Sequence, residues 1–372
     1  MFRATSRWGK LLRIGLVMWL VMALPSALYV AWWVFASFTI RGLVTQVLEG
    51  ERDAGSLVEY DQLQIGGFPL ALRVSLGDSS IFRPDGSQWQ SAGVSAEARP
   101  WRLRAVQLTF NGRQRLQVPA GSALLALTME RGQGRLDANP ELTAVDGGWL
   151  SLTEVTLAPA GAGAGAGAGA AGPGLSGAEI AAATTTAATF DLSLSRVPQV
   201  PTTASDLAAT VDLVAFKVRL PSGIPTPLGR TLDLVNLSAR LTGPLGRLDP
   251  EGLATWSRAG GAIEIDSLKL SWGPLHLEAK GRLTLDGALH PEGPLTVELT
   301  GTDQLLETLV VGGLVRAKDA PTVRSVLHAM SRKPASNDPG TIEGPVTLPL
   351  VIRKGFLFLG PIKLMPLPWV GW

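Results

Sequence analysis

The sequence predicts a mainly β protein: an N-terminal transmembrane helix, then large curved antiparallel sheets, with two short helices near 303–333. Three observations predict this class. An uncharged run of 27 residues extends from Ile14 to Ile40. After Gly55 the dominant hydrophobic period is two, the spacing of strands with one apolar and one polar face. Glycine (43 residues) and proline (26) are plentiful, which suits many strands joined by tight turns. An open trough, a sandwich and a barrel-like closure all satisfy this pattern.

The apolar run comes first. About 20 apolar residues span the hydrocarbon core of a bilayer, so residues 14–40 read as a transmembrane helix. Arg3, Arg7, Lys10 and Arg13 precede it with no acidic residue among them. The positive-inside rule therefore makes residues 1–13 a cytoplasmic tail and carries the chain after Arg41 across the membrane. The expected location is the bacterial inner membrane, single-pass, with the bulk of the chain periplasmic. Trp8 suits the inner interface, Trp32 and Trp33 the outer one. The alternative is a cleaved signal peptide, but its apolar region would be 7–15 residues long, and this run continues past Ser26-Ala27. Residues 41–54 read as a helical extension, with Leu43, Val44, Val47 and Leu48 on one face.

Removing the four basic residues of the tail from the total of 33 leaves 29 against 31 acidic residues, a near-neutral body. That balance gives no electrostatic footprint for nucleic acid. The absence of cysteine excludes disulfides, thiolate metal sites and cysteine nucleophiles.

The body alternates. Leu70, Leu72, Val74 and Leu76 share one parity, as do Phe190, Leu192 and Leu194. The longest clean case is Leu275, Leu277, Ala279, Gly281, Leu283 and Leu285, opposed by His276, Glu278, Lys280, Arg282 and Thr284. Three segments change parity midway, between Ala105 and Val106, between Leu234 and Val235, and between Ile265 and Leu268. Such slips predict β-bulges. Residues 303–317 and 321–332 read as helices, with Asp303 as an N-cap and Pro321 at a first helical position. Residues 159–189, beginning in a Gly-Ala alternation, read as a linker or loop between β-rich halves at 55–158 and 190–372. The halves are parts of one sheet system or two similar modules.

Reaction machinery is absent from the sequence. It has no G-x-S-x-G, no H-E-x-x-H and no phosphate-binding G-x-x-x-x-G-K-[ST]. Its three histidines, His276, His290 and His328, sit on a strand's polar face, in a turn and on a helix. No enzymatic activity, metal or cofactor is expected.

Three stretches carry a resemblance. Leu57 to Leu76 reads LVEYDQLQIGGFPLALRVSL, Ser271 to Thr300 reads SWGPLHLEAKGRLTLDGALHPEGPLTVELT, and Thr347 to Pro366 reads TLPLVIRKGFLFLGPIKLMP. With the N-terminal anchor they resemble an uncharacterised proteobacterial family of membrane-anchored periplasmic β-rich proteins, a domain of unknown function. Gly66, Gly67, Phe68 and Pro69, together with Gly355 to Pro361, carry most of it, and the Gly-Ala tract departs from it. The layout is also similar to that of AsmA-like envelope proteins, which implies lipid handling or outer-membrane assembly.

From the residues themselves, many strands with one apolar face, curled by bulges, make a trough able to shield acyl chains of phospholipid or glycolipid. Leu270, Trp272, Leu277, Ala279, Leu283 and Leu285 are the expected groove residues, and the same residues would equally fill a closed core. A scaffold that binds envelope proteins through sheet edges is the alternative function. Gly66, Gly67, Phe68 and Pro69 are read as a structural turn.

Overall fold

The computed structural model describes residues 6–120, 123–139, 145–160, 183–197, 201–222, 226, 228–246, 250–311, 316–318, 320–329, 345–359 and 362–366. Helix α1 runs from Ser6 to Asp53, so the predicted transmembrane segment and its extension form one helix with no break at Arg41. Among the described residues it is the one helix long and apolar enough to cross a membrane.

The strands are β1 (Leu57–Tyr60), β2 (Leu63–Gly66), β3 (Leu72–Leu76), β4 (Ser79–Phe82), β5 (Gln88–Ser91), β6 (Val94–Arg99), β7 (Arg102–Phe110), β8 (Gln114–Ala120), β9 (Ala123–Met129) and β10 (Arg131–Ala138). They continue as β11 (Val145–Pro159), β12 (Thr185–Arg196), β13 (Leu207–Arg219), β14 (Thr231–Thr242), β15 (Ala262–Trp272) and β16 (Leu275–Leu285). The last four are β17 (Pro291–Thr300), β18 (Val346–Arg353), β19 (Phe356–Leu359) and β20 (Ile362–Pro366). All belong to one sheet, and every pairing is antiparallel.

The connectivity is simpler than twenty strands suggest. β1 pairs with β4 while β2 pairs with β3, so 57–66 and 72–82 form one bent hairpin. The same holds for β3–β4 against β5–β6, β5–β6 against β7–β8, and β7–β8 against β9–β10. Five long bent strands are therefore followed by β11 to β20, each pairing with its predecessor. The result is a single open meander, about 67 Å along the sheet at ~4.8 Å per strand. β11 pairs directly with β12, so the two predicted halves are parts of one sheet. Thr185 to Thr189, grouped by composition with the linker, belong to β12 and pair with β11 or β13. The Gly-Ala tract beyond Ala160 lies outside the described residues.

The parity change between Ile265 and Leu268 coincides with a register shift. β14 has no irregularity at Leu234; its register against β15 shifts between Ser238 and Ala239, where Asp266 of the same β15 bulge is skipped. Against β10 the pairing through Ala105 and Val106 is regular, but against β6 the register shifts there: Ala98 faces Val106 while Arg99 faces Arg102, so residues 103–105 of β7 are extra, as the parity change predicts. Trp101 and Leu103, on the tip side of that shift, are exposed apolar residues of the β6–β7 hairpin.

Short helices sit at the ends of the sheet. α2 (Pro250–Arg258) joins β14 to β15 and buries Trp256, whose indole N–H donates to the Thr242 carbonyl at 2.8 Å. α3 (Thr302–Val311) buries Leu306, and Arg324 of α4 (Ala320–Ala329) approaches Asp303 at 3.4 Å. These helices stand where two were predicted, at 303–317 and 321–332; residues 316 and 317 are not helical, and 312–315 and 330–332 lie outside the described residues. The β16–β19 region holds the densest packing: Ala279, Leu283, Leu295, Val297, Leu350 and Ile352.

α1 is fastened to the sheet at two levels. Near its C-terminus, Arg83 donates twice to the Glu51 carboxylate, at 2.8 and 3.2 Å, and Ser56 donates to the same group. The Arg83 hydrogen bond holds the Glu51 carboxyl below its usual range. Arg52 donates to the Val58 carbonyl and lies over the Tyr60 ring. The second attachment is the turn between β2 and β3. Trp33 donates to the Ala71 carbonyl at 3.1 Å, Tyr29 donates to the Pro69 carbonyl, and Phe68 packs edge-on to Trp33 with ring centroids 5.3 Å apart. Trp33 and Glu51 are about 27 Å apart along the helix at 1.5 Å per residue. The 57–66 strand thus runs back along α1 to reach Tyr29 and Trp33, in the second half of the apolar run.

Two stability predictions follow from this packing. Leu350 is buried in the apolar cluster, whereas its neighbour Val351 is 37% exposed on the other face. Leu350→Ala should cost about 2–5 kcal/mol and Val351→Ala less than about 1 kcal/mol, read from urea unfolding of the detergent-solubilised chain. Gly67 has φ 97°, and a Cβ there would lie 2.7 Å from the Ala71 carbonyl oxygen. Gly67→Val should therefore lower the unfolding free energy by about 1–3 kcal/mol, and an unchanged urea midpoint would refute the assigned turn geometry.

Candidate apolar groove

Side chains of directly paired residues in an antiparallel sheet lie on the same face. The pairing therefore reveals how apolar side chains line up across the whole meander. One row runs Ile65, Val74, Ala96, Leu108, Gly134, Leu150, Leu192, Leu213, Leu237, Leu268, Ala279, Val297, Leu348. A second runs Leu76, Val94, Phe110, Gly132, Leu152, Phe190, Ala215, Val235, Leu270, Leu277, Leu299, Val346. A third runs from Leu72 and Ala98 through Val106, Leu136, Gly148, Leu194, Val211, Ala239, Ile265, Gly281 and Leu295 to Leu350. No polar side chain interrupts any of the three.

The opposite face reads differently. The row adjoining the first is Gln64, Ser75, Ser95, Thr109, Gln133, Ser151, Asp191, Val214, Asn236, Lys269, Glu278, Glu298, Thr347. The sheet is thus two-faced from the strand beside α1 to β18.

Shelter of the apolar face varies along it. Ala279 and Val297 are buried in the cluster near the C-terminal end. Upstream, Leu108, Leu150, Leu192, Leu213, Leu237 and Leu268 are only half-buried. The described helices make their main contacts elsewhere: α2 with β16 and the end of β14, α3 with β16, and α1 with β1 and β2. Apolar side chains left partly exposed on a sheet of this length form a surface that an apolar ligand can cover.

The six groove residues expected from the sequence share this face. Leu270 pairs with Leu277, and Leu268 with Ala279. Ala279 and Leu283 lie in the packed cluster, while Leu270, Trp272, Leu277 and Leu285 are half-buried. Trp272 donates its indole N–H to the Gly229 carbonyl at 2.7 Å, and the Leu285 carbonyl accepts from Ser257 of α2. These six residues therefore occupy the more closed end, and the more open stretch lies between Leu108 and Leu237. The sequence hides part of that stretch because β10 places Gly132 and Gly134 at its apolar positions. Phe110 and Leu152 fold over Gly132, where a Cβ would meet them at 3.1 and 2.8 Å.

Where the first long strands bend, Ser79, Ser91 and Gln114 stand in register and are buried. Ser79 Oγ and Gln114 Oε1 have no hydrogen-bond partner among the described residues. A cavity of about 720 Å³ adjoins this bend, lined by Glu59, Asp61, Asp78, Arg113 and Arg115 among others. A smaller one of about 180 Å³ lies at the β6–β7 hairpin, lined by Glu97, Arg99, Arg102, Ala105, Gln107 and Arg135. His276 contacts Ser271 at 3.1 Å and His290 contacts Asp286 at 3.3 Å. Among the described residues, no three His, Asp or Glu side chains gather in a metal-binding group.

No curated protein matches the chain, and no solved structure does. A family model does match, over residues 33–368, and thus covers the tryptophan end of α1, the Gly66–Pro69 turn and the whole meander. The chain belongs to that family, described as an uncharacterized protein conserved in bacteria (DUF2125).

Proposed function

We propose that this chain is a single-pass protein of the bacterial inner membrane whose periplasmic sheet shields lipid acyl chains, in lipid transport or envelope maintenance. The observation that carries this reading is the set of three uninterrupted apolar rows, only partly buried over much of their length and backed by a polar face. Each methylene covered on such a surface gains about 0.8 kcal/mol relative to water. A row continuous across strands lets an acyl chain lie along the sheet without passing a polar group. α1 places one end of that surface beside the bilayer from which lipid would come. The four basic residues before the apolar run support a cytoplasmic N-terminus. The alternative, a scaffold that binds envelope proteins through sheet edges, draws on β20, because α1 lies along the other edge strand.

The test is lipid extraction from the full chain, purified in mild detergent from bacterial membranes, followed by mass spectrometry. Leu213→Asp and Leu237→Asp alter the open part of the apolar face, far along the sheet from α1, and so leave lipid around the helix untouched. Asn236→Asp changes the polar face. Stoichiometric phospholipid or glycolipid is expected in the wild type and in Asn236→Asp, and much less in the two leucine variants at unchanged circular dichroism. Equal lipid in all four proteins would mean that only α1 retains it, and would overturn the proposal.

A further inference from the structure

The β2–β3 turn meets α1 within its apolar run, far from where the helix joins the sheet. Phe68 packs against both Tyr29 and Trp33, yet remains 51% exposed, and the following Leu70 is 68% exposed. Leu72 pairs with Ala98, so the tip of the β6–β7 hairpin lies beside this turn. That tip presents Trp101, 63% exposed, and Leu103, 40% exposed. Four large apolar side chains therefore project at one corner of the sheet, at the height of the tyrosine and tryptophans of α1. Tyrosine and tryptophan at that height mark the boundary between hydrocarbon and headgroups.

Charge at the same corner is one-sided. Around the small cavity at the hairpin, Glu97 is taken by Arg73 at 2.6 Å and Arg135 by Asp137 at 2.7 Å. Arg99 and Arg102 face each other across the hairpin, both exposed, and neither has an ion-pair or hydrogen-bond partner among the described residues. Guanidinium groups held side by side suit the oxygens of a phosphate.

We propose that this corner is a second membrane contact: Phe68, Leu70 and Trp101 enter the interface of the leaflet where α1 emerges, and Arg99 and Arg102 bind the phosphate of an anionic phospholipid there. The proposal rests on α1 being a membrane anchor, and stands whether or not the sheet carries acyl chains. Its consequence is a fixed tilt of the sheet, since two points hold it against the bilayer.

The chain has no native cysteine, so single cysteines report position directly. Full-length chain in nanodiscs is labelled with an environment-sensitive fluorophore at Phe35→Cys on α1, Leu70→Cys, Trp101→Cys or Gly86→Cys, and quenched with spin-labelled phospholipid. Quenching at positions 35, 70 and 101 but not at 86 is expected. Quenching at 35 without 70 and 101 overturns the proposal and leaves the anchor standing. No quenching at 35 removes the anchor and the proposal with it. For the headgroup, chain equilibrated with equal phosphatidylglycerol and phosphatidylcholine is examined by native mass spectrometry. Arg99→Gln/Arg102→Gln should lower the bound ratio of anionic to zwitterionic lipid by on the order of tenfold. An unchanged ratio refutes the arginine site.

Discussion

Register is the constraint on which this structure depends. Side chains alternate between faces with a period of two, so a one-residue slip in any hairpin would send its leucines to the polar side. The three apolar rows exist because each strand is held in phase with the next. Where the sequence itself changes phase, the backbone absorbs the extra residues. Ile265 pairs with Gly281 and Leu268 with Ala279, so the two residues between them on β15 are accommodated by an irregularity. Glu154 and Lys217, with φ 55° and 50°, interrupt the pairing locally, but Val155 and Val218 resume it in an unchanged register. The irregularity in β15 is thus what keeps Ile265 and Leu268 on the same apolar face.

The same constraint explains how α1 relates to the sheet. An edge strand offers unpaired backbone groups to any other chain. Here the first edge strand, 57–66, turns back along α1 and ends in the turn whose Pro69 and Ala71 carbonyls accept from Tyr29 and Trp33. One segment of chain therefore protects the edge, joins sheet to helix, and brings the start of the apolar face to the helix's aromatic residues. The Glu51–Arg83 pair at the other end is half-exposed, and surface pairs of this kind contribute little each. It fixes direction more than it adds stability.

Much of this was legible in the sequence. The apolar run, the dominance of period two, the Gly66–Pro69 turn and the two late helices all stand in the structure. What was hidden has physical causes. β10 carries glycines at its apolar positions, so its hydrophobic period vanishes even though its neighbours fill the space above it. α2 is a single short amphipathic stretch held by one buried tryptophan, too brief for periodicity to declare. Trp101 and Leu103 looked like the start of a strand's inner face, because sequence alone does not tell an apolar residue facing a core from one exposed at a hairpin tip. The groove residues expected from the cleanest alternation, in β16, fell at the best-packed end of the face for a related reason. The same regularity that makes a strand easy to read also makes it pack well against its neighbours.

The central claim is that one face of the meander meets acyl chains along its length while the other meets water. The direct measurement is photocrosslinking in living bacteria, with a benzophenone amino acid placed at Ala96, Leu150, Leu213 or Leu268 on the apolar face and at Ser95, Ser151, Asp212 or Lys269 beside them. Lipid adducts at all four apolar positions and at none of their neighbours are the predicted result. Adducts at neither set would mean that the apolar face carries no lipid, and would contradict the proposed function.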